Sequence, residues 1–325
     1  MVQNWQPRND EEKKNFGWAL TRLGHAYHSL GQYQTAIDYH QQALEIAREI
    51  GDRSNEGGSL CNLGLVYNHL GEYQQAIDYY QQALVILQEI GHSHFQANTL
   101  ANLGLAYASL GQYQKAINYS QQALEIARKI DYPSGESNAL NSLGIAYASQ
   151  GQYKEAIVYS RQALDIAREI GNRSMEGTYL GNLGNAYNFL GESQKAIRYY
   201  EQALEIAREI GDRAGEGSGL GNLGSVYDSL GQYETAIDYH QQCLEIERSI
   251  GDRAGEGRSL CNLGNAYHYQ GEYQQAINYY QQALVILQEI GHCEFQANTL
   301  FGLGNAYNHL GEYQQAIESH QQCLE

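Results

Sequence analysis

A Leu-Gly dipeptide returns every 40 residues without a slip, its leucines at Leu23, Leu63, Leu103, Leu143, Leu183, Leu223, Leu263 and Leu303. A fixed period of this kind restricts a chain to a stack of like supersecondary units, because one unit alone cannot bury its apolar face. Three residues after each glycine stands a tyrosine, from Tyr27 to Tyr307, and three before each leucine stands another, from Leu20 to Leu300. Within the second unit, Leu60, Leu63, Gly64 and Tyr67 fall three and four apart and so share one face of a helix. Ala76, Ile77, Tyr80, Ala83, Leu84 and Ile86 form a second stripe in a stretch rich in Gln and Ala, which favours helix.

Glycine punctuates both halves. Gly71 and Gly91 can take the left-handed conformation that ends a helix, and Asp52, after Gly51, can cap the next one, as can the copies after Gly211 and Gly251. Glu56, Glu216 and Glu256 place negative charge in the first turn of those helices. The spacing therefore predicts helices over about 53–70 and 73–90, repeated at steps of 40. Gly64 and Ala76 are small where the two helices of a pair cross. Glu45 with Arg48, and the copies at 125, 205 and 245, read as one-turn surface pairs.

These features predict an all-α chain of eight helix hairpins, a solenoid with right-handed superhelical winding. Units start near 17, 57, 97, 137, 177, 217, 257 and 297, after a lead-in over 1–16, and the last unit is truncated. Residues 57–100 and 257–300 are nearly identical, which implies a duplicated block of five units. Asp131-Tyr132-Pro133 replaces the usual Gly-Asp-Arg turn, and Pro133 suits the first turn of a helix, so a local bend and not a domain boundary is expected there.

Charge and cysteine usage narrow the function. A net charge of -17 opposes attraction to nucleic-acid phosphates. Cys61, Cys243, Cys261, Cys293 and Cys323 make no CxxC pair and suggest reduced thiols in a cytoplasmic protein. Cys243 and Cys323 occupy an otherwise small, buried position, whereas Cys61 and Cys261 are candidates to face a groove. No run of 18 apolar residues points to a membrane span. Gly219-x-Gly221-x-x-Gly224 lies within a helical repeat with no strand before it, so it carries no dinucleotide-binding mechanism. His92 with His94, and His25 with His28, lack a third ligand in sequence reach, and neither a metal nor a cofactor is expected. No nucleophile, base and orienting group recur together, so an enzyme is not expected.

The pattern Leu60-x-x-Leu63-Gly64-x-x-Tyr67, then Ala76, Tyr80 and Ala83, resembles the tetratricopeptide repeat over residues 17–325. The 40-residue period exceeds the usual 34 of that family. It is similar to the longer-repeat branch in spindle-orientation adaptors, kinesin light chains and bacterial, particularly cyanobacterial, proteins. The resemblance implies that the first helix of each pair lines a concave groove which holds a peptide or protein segment.

Groove positions implied by the resemblance are Arg22, His25, Asn62, Asn102, Asn182, Asn185, Asn222, Asn262, Asn265 and Asn305. An amide side chain offers a donor and an acceptor, so such a ladder can pair with a peptide backbone. The alternative is that these asparagines only bond neighbouring turns. Specificity is expected from residues that break the repetition: Trp18, His28, Phe189, Asp228, Arg258, His268, Tyr269, Phe301 and His309. The lysines of the chaperone-tail clamp are absent from the matching positions Thr21, Cys61, Ala101, Asn141, Gly181, Gly221, Cys261 and Phe301, which excludes that ligand. Two further roles are open: a sensor arm of a larger multidomain signalling protein, and end-to-end self-association through the last unit.

Overall fold

The computed structural model describes residues 9–324, so the expected lead-in lies outside the described residues up to residue 8 and is helical from Asp10. The chain falls into two compact units, which divide between Gly171 and Asn172. The first contains α1 (Asp10–Ser29), α2 (Tyr33–Glu49), α3 (Arg53–His69), α4 (Tyr73–Glu89), α5 (Ser93–Ser109), α6 (Tyr113–Lys129), α7 (Pro133–Ser149) and α8 (Tyr153–Glu169). The second contains α9 (Arg173–Phe189), α10 (Ser193–Ile210), α11 (Arg213–Ser229), α12 (Tyr233–Ile250), α13 (Arg253–Gln270), α14 (Tyr273–Glu289), α15 (Cys293–Leu310) and α16 (Tyr313–Gln322). Within each unit an odd-numbered helix pairs with the even one after it, and that helix packs on the next odd one. There is no strand among the described residues.

The turns close as their glycines predict. The amide of Asp52 donates to the carbonyl of Ala47 at 2.8 Å across Gly51, whose φ is +69°. This is the six-to-one bond that ends a helix on a left-handed residue. Asp52 then accepts from the amide of Asn55 at 3.1 Å and caps α3. Asp212 and Asp252 cap α11 and α13 in the same way.

Fourteen glycines carry positive φ among the described residues, and Asp131, at φ 51°, is the one other residue that does. A Cβ there strains the backbone, and Tyr132, which follows, gives α7 no side-chain cap. Tyr132 instead accepts from the amide of Asn98 at 3.2 Å and meets the His94 ring edge-on. Asp131→Gly is expected to raise stability by about 0.5–1 kcal/mol, read as a higher urea midpoint with unchanged helix content.

The core follows the two stripes. In the first unit Leu60, Leu63 and Val66 meet Ala83, Ile86 and Leu87. In the second, Leu260, Leu263 and Ala266 meet Ile277, Tyr280 and Leu287. Each buried leucine or isoleucine contributes roughly 1.5–3 kcal/mol. From Tyr27 to Tyr267 the tyrosine three after the Leu-Gly glycine lies nearly parallel to a tyrosine of the following helix, as Tyr107 does on Tyr119, with centroids 5.3 Å apart, whereas Tyr307 has Ser319 at that place. These tyrosines are half-buried at most positions, so the expected core ladder is a set of intra-hairpin stacks.

The arginines do not pair with the glutamates one turn before them. Arg48 donates to Glu56 at 3.0 Å, and Arg128, Arg208 and Arg248 reach Glu136, Glu216 and Glu256. Arg53 approaches Glu56 from its other side at 2.6 Å and also reaches Glu89. The guanidinium spans the turn because the first-turn glutamate of the next helix, buried at Glu56, Glu216 and Glu256 and half-buried at Glu136, needs a counter-charge, whereas Glu45 is already solvated.

Candidate functional site

The Leu-Gly glycine faces a variable side chain sixteen residues later. A Cβ on Gly64 would sit 2.6 Å from the Tyr80 ring, and one on Gly264 would sit 2.5 Å from Tyr280. The partners elsewhere are His40, Ser120, Ser160, Tyr200, His240 and His320. The glycine therefore leaves room for a neighbouring ring, and the close approach expected at Gly64 is that of a side chain. The sequence marks this position as part of the second stripe where it is Tyr80, but not its place against the glycine, because it is written as Tyr, His or Ser and has no constant letter.

The variable ring decides what two of the groove asparagines do. The hydroxyls of Tyr200 and Tyr280 donate to Asn185 and Asn265, each at 2.7 Å. Leu65 holds the register of Asn185 and Asn265 in the second hairpin, and the buried hydroxyl of Tyr80 has no partner. His25 is exposed and stands edge-on to buried His40, with ring centroids 5.3 Å apart. Burial, together with the charge that His25 and His28 would carry, pushes His40 down to about 4.

Asn62 and Asn102, on α3 and α5, are half-buried and form no side-chain hydrogen bond with another described residue. Asn222 and Asn262, in the same register on α11 and α13, are alike in this, and Asn182 holds that register on α9. Asn305 on α15 is half-buried, and Arg22 on α1 is exposed. Asn185 and Asn265 thus bond a tyrosine of the paired helix and not a neighbouring turn, and Asn62, Asn102, Asn222 and Asn262 bond neither.

The residues that break the repetition do not gather in one place. Trp18 and Phe189 are exposed. His28 meets His69, Nε2 to Nδ1, at 3.2 Å, and burial with the neighbouring His69 holds its pKa below the usual histidine value. In the second unit His309 stacks on Tyr273 with centroids 4.6 Å apart, and His268 stands edge-on to both. Tyr269 stacks on Tyr233. Asp228 accepts from, or pairs with, buried His240 at 2.9 Å. Arg258 lies 3.9 Å from Glu247, and Phe301 rests by His320. Cys261 is buried, its thiol pushed up by burial, and Cys61 bonds to Thr99 at 2.9 Å, so neither cysteine is a free groove group. Cys243 is buried as expected, and Cys323 is partly exposed.

One cavity of about 300 Å³ opens between α9, α10 and α11, with Asn182 and Asn222 in its lining. The sequence profile of the tetratricopeptide repeat matches residues 15–84, 56–129, 135–209, 215–289 and 257–325. The chain belongs to the tetratricopeptide repeat family. The tetratricopeptide array matches a STAND signal-transduction ATPase with a tetratricopeptide repeat sensor from Pyrococcus horikoshii, at TM-score 0.72 and 18% identity, over 97% of this chain and 47% of that one. It also matches a Rap protein solved in complex with competence and sporulation factor, at TM-score 0.65 and 16% identity, over 97% and 96% of the two chains. A kinesin light chain-type repeat protein from Podosopora anserina matches at TM-score 0.52 and 21% identity, over 62% of this chain and 98% of that one. No curated protein matches the array in sequence. No described helix is long and apolar enough to cross a membrane.

Proposed function

We propose that the array is a protein-interaction scaffold that holds a peptide or protein segment along the odd-numbered helices, and that it binds without catalysing a reaction. The observation that carries this is the row of asparagine amides in one register, of which Asn62, Asn102, Asn222 and Asn262 are left without an internal partner. A half-buried amide that bonds nothing within the fold is available to the main chain of a guest. Asn182, Asn222 and Asn262 place three amides in that register on successive odd-numbered helices of one unit, and Asn222 and Asn262 are the two without an internal partner.

The test pans a displayed random peptide library on the array and measures the enriched peptides against Asn182→Ala/Asn222→Ala/Asn262→Ala. We expect binding at least about tenfold weaker, at roughly 0.5–1.5 kcal/mol per lost hydrogen bond. Equal affinity for the variant removes these amides from the binding surface. A second role, as the sensor arm of a larger signalling protein, is favoured by the match of nearly the whole array to about half of the STAND protein.

A further inference from the structure

Two other pairs of neighbouring odd-numbered helices fill the space between them with a pair of side chains. Cys61 of α3 reaches Thr99 of α5 at 2.9 Å, and Cys261 bonds to Thr299 in the second unit. Advanced by 120 residues, the Cys61 and Thr99 positions become Gly181 of α9 and Gly219 of α11. Both side chains of the pair are missing there. A Cβ on Gly181 would meet nothing within 4 Å, whereas one on Gly219 would stand 3.3 Å from the Leu204 side chain, and the cavity of about 300 Å³ is lined by both glycines.

Its lining sorts into two parts. The Tyr200 ring, Ala203, Ile206 and Ala207 of α10 supply apolar surface, and the amides of Asn182 and Asn222 stand with them. No lysine or arginine lines it, so a carboxylate or phosphate would enter without a counter-charge. The one acidic group, Asp212, already accepts from the Gly215 amide at 2.9 Å. A volume at the lower end of ligand sites suits one large side chain. The array's charge of -17 favours a cationic guest.

We infer that this cavity seats a single aromatic or branched aliphatic side chain from a positively charged peptide segment, as the anchor point of the groove proposed above and resting on that reading. The flanking Asn182 and Asn222 are placed to pair with the main chain on either side of the anchor. Depth at one point, set by the absence of two side chains, gives specificity to a wall whose amides read no sequence.

The experiment titrates the N-acetyl amides of Trp, Phe, Leu, Lys and Glu into the ¹⁵N-labelled full array. Backbone signals of Gly181 and Gly219 and side-chain amide signals of Asn182 and Asn222 report occupancy. The Trp, Phe and Leu compounds are expected to shift them, and the Lys and Glu compounds are not. Gly181→Cys/Gly219→Thr, which installs the pair found at Cys61 and Thr99, is expected to weaken the apolar probes by at least about tenfold. Gly181→Cys alone, whose Cβ meets open space, should weaken the probes in the same direction with a urea midpoint unchanged or higher, since one helix-interior glycine is replaced and the Leu204 contact of the Gly219 position is not involved. Lysine-flanked tripeptides carrying the best probe residue should bind more tightly than glutamate-flanked ones at low salt.

Absence of shifts with every amide, or equal shifts in the filled variant, overturns the anchor site. Equal affinity of the two flanked tripeptides overturns the cationic guest. The single-residue probes cannot span the Asn182 to Asn262 row, so failure here leaves the triple-alanine result to stand or fall by itself.

Discussion

Tyr280→Ala is expected to cost about 3–5 kcal/mol, the range for deleting a large buried ring. The Tyr280 ring is 1% exposed and lies between two glycines, with a Cβ on Gly264 at 2.5 Å and one on Gly302 at 2.8 Å. Gly264 and Gly302 have no side chain to move into the gap, so collapse is limited and the cavity term is large. Tyr280→Phe keeps the ring and loses only the bond to Asn265, which is half-buried and can turn to water, so about 1 kcal/mol is expected. Tyr80→Phe should cost nothing or stabilise, because the Tyr80 hydroxyl is buried without a partner. Burial already holds both phenols well above the usual tyrosine range, so neither ionises in the folded state near neutral pH. Repeat arrays open locally, so hydrogen exchange over α13, α14 and α15 is the fitting measurement beside the urea midpoint. An equal loss for the Ala and Phe variants would show that the ring's packing is not what holds α13 to α15.

How much of this was legible depended on whether a residue recurs. Leu60, Leu63, Gly64 and Tyr67 come back every 40 residues, and with Gly71 and Asp52 they place α3 and α4 to within a residue of the observed ends. Spacing also put Glu45 near Arg48, but it does not encode which carboxylate is short of water. The structure shows that Glu56 is, which is why Arg48 crosses the turn. The site was less legible. Asn182 and Asn222 stand out because they repeat, whereas the cavity beside them comes from two side chains that are absent, Gly181 and Gly219, 38 positions apart on different helices. A reader of one sequence could find it by pairing Cys61 with Thr99 first, a contact visible only in three dimensions. The side chain beneath each Leu-Gly glycine was legible only as a stripe position, as at Tyr80, and its contact with the glycine escaped because Tyr80, His240 and Ser120 share a place and no chemistry.

Glu247→Leu is expected to stabilise the array by roughly 1–3 kcal/mol at neutral pH, the gain seen when a poorly compensated buried charge gives way to an apolar side chain of similar volume. Glu247 is 5% exposed on α12, in the register where Ala47, Ala127, Ala167 and Ala207 occur and where Leu287 is wholly buried. One of its oxygens receives the Cys243 thiol at 3.4 Å and lies 3.9 Å from Arg258; the other has no partner. Burial raises its pKa above the usual carboxylate value, against Ser259, Cys243 and Arg258, which lower it, and with Asp252 adding to the rise. Glu256 makes the contrast. Its burial also works against ionisation, yet Arg248 at 2.8 Å and Arg253 at 2.5 Å bring its pKa below the ordinary value. The sign follows from proton binding. Below the unfolded pKa near 4.5 both states hold the Glu247 proton and the charge costs nothing. As pH rises through the gap between the unfolded and folded values, the unfolded state releases its proton first and stability falls. The gain from Glu247→Leu should accordingly be small near pH 4 and reach its full size above the folded pKa. Urea midpoints of both proteins at pH 4 and pH 7.5 measure it, and a difference that stays the same at the two pH values would show that the carboxylate's charge is not what the substitution removes.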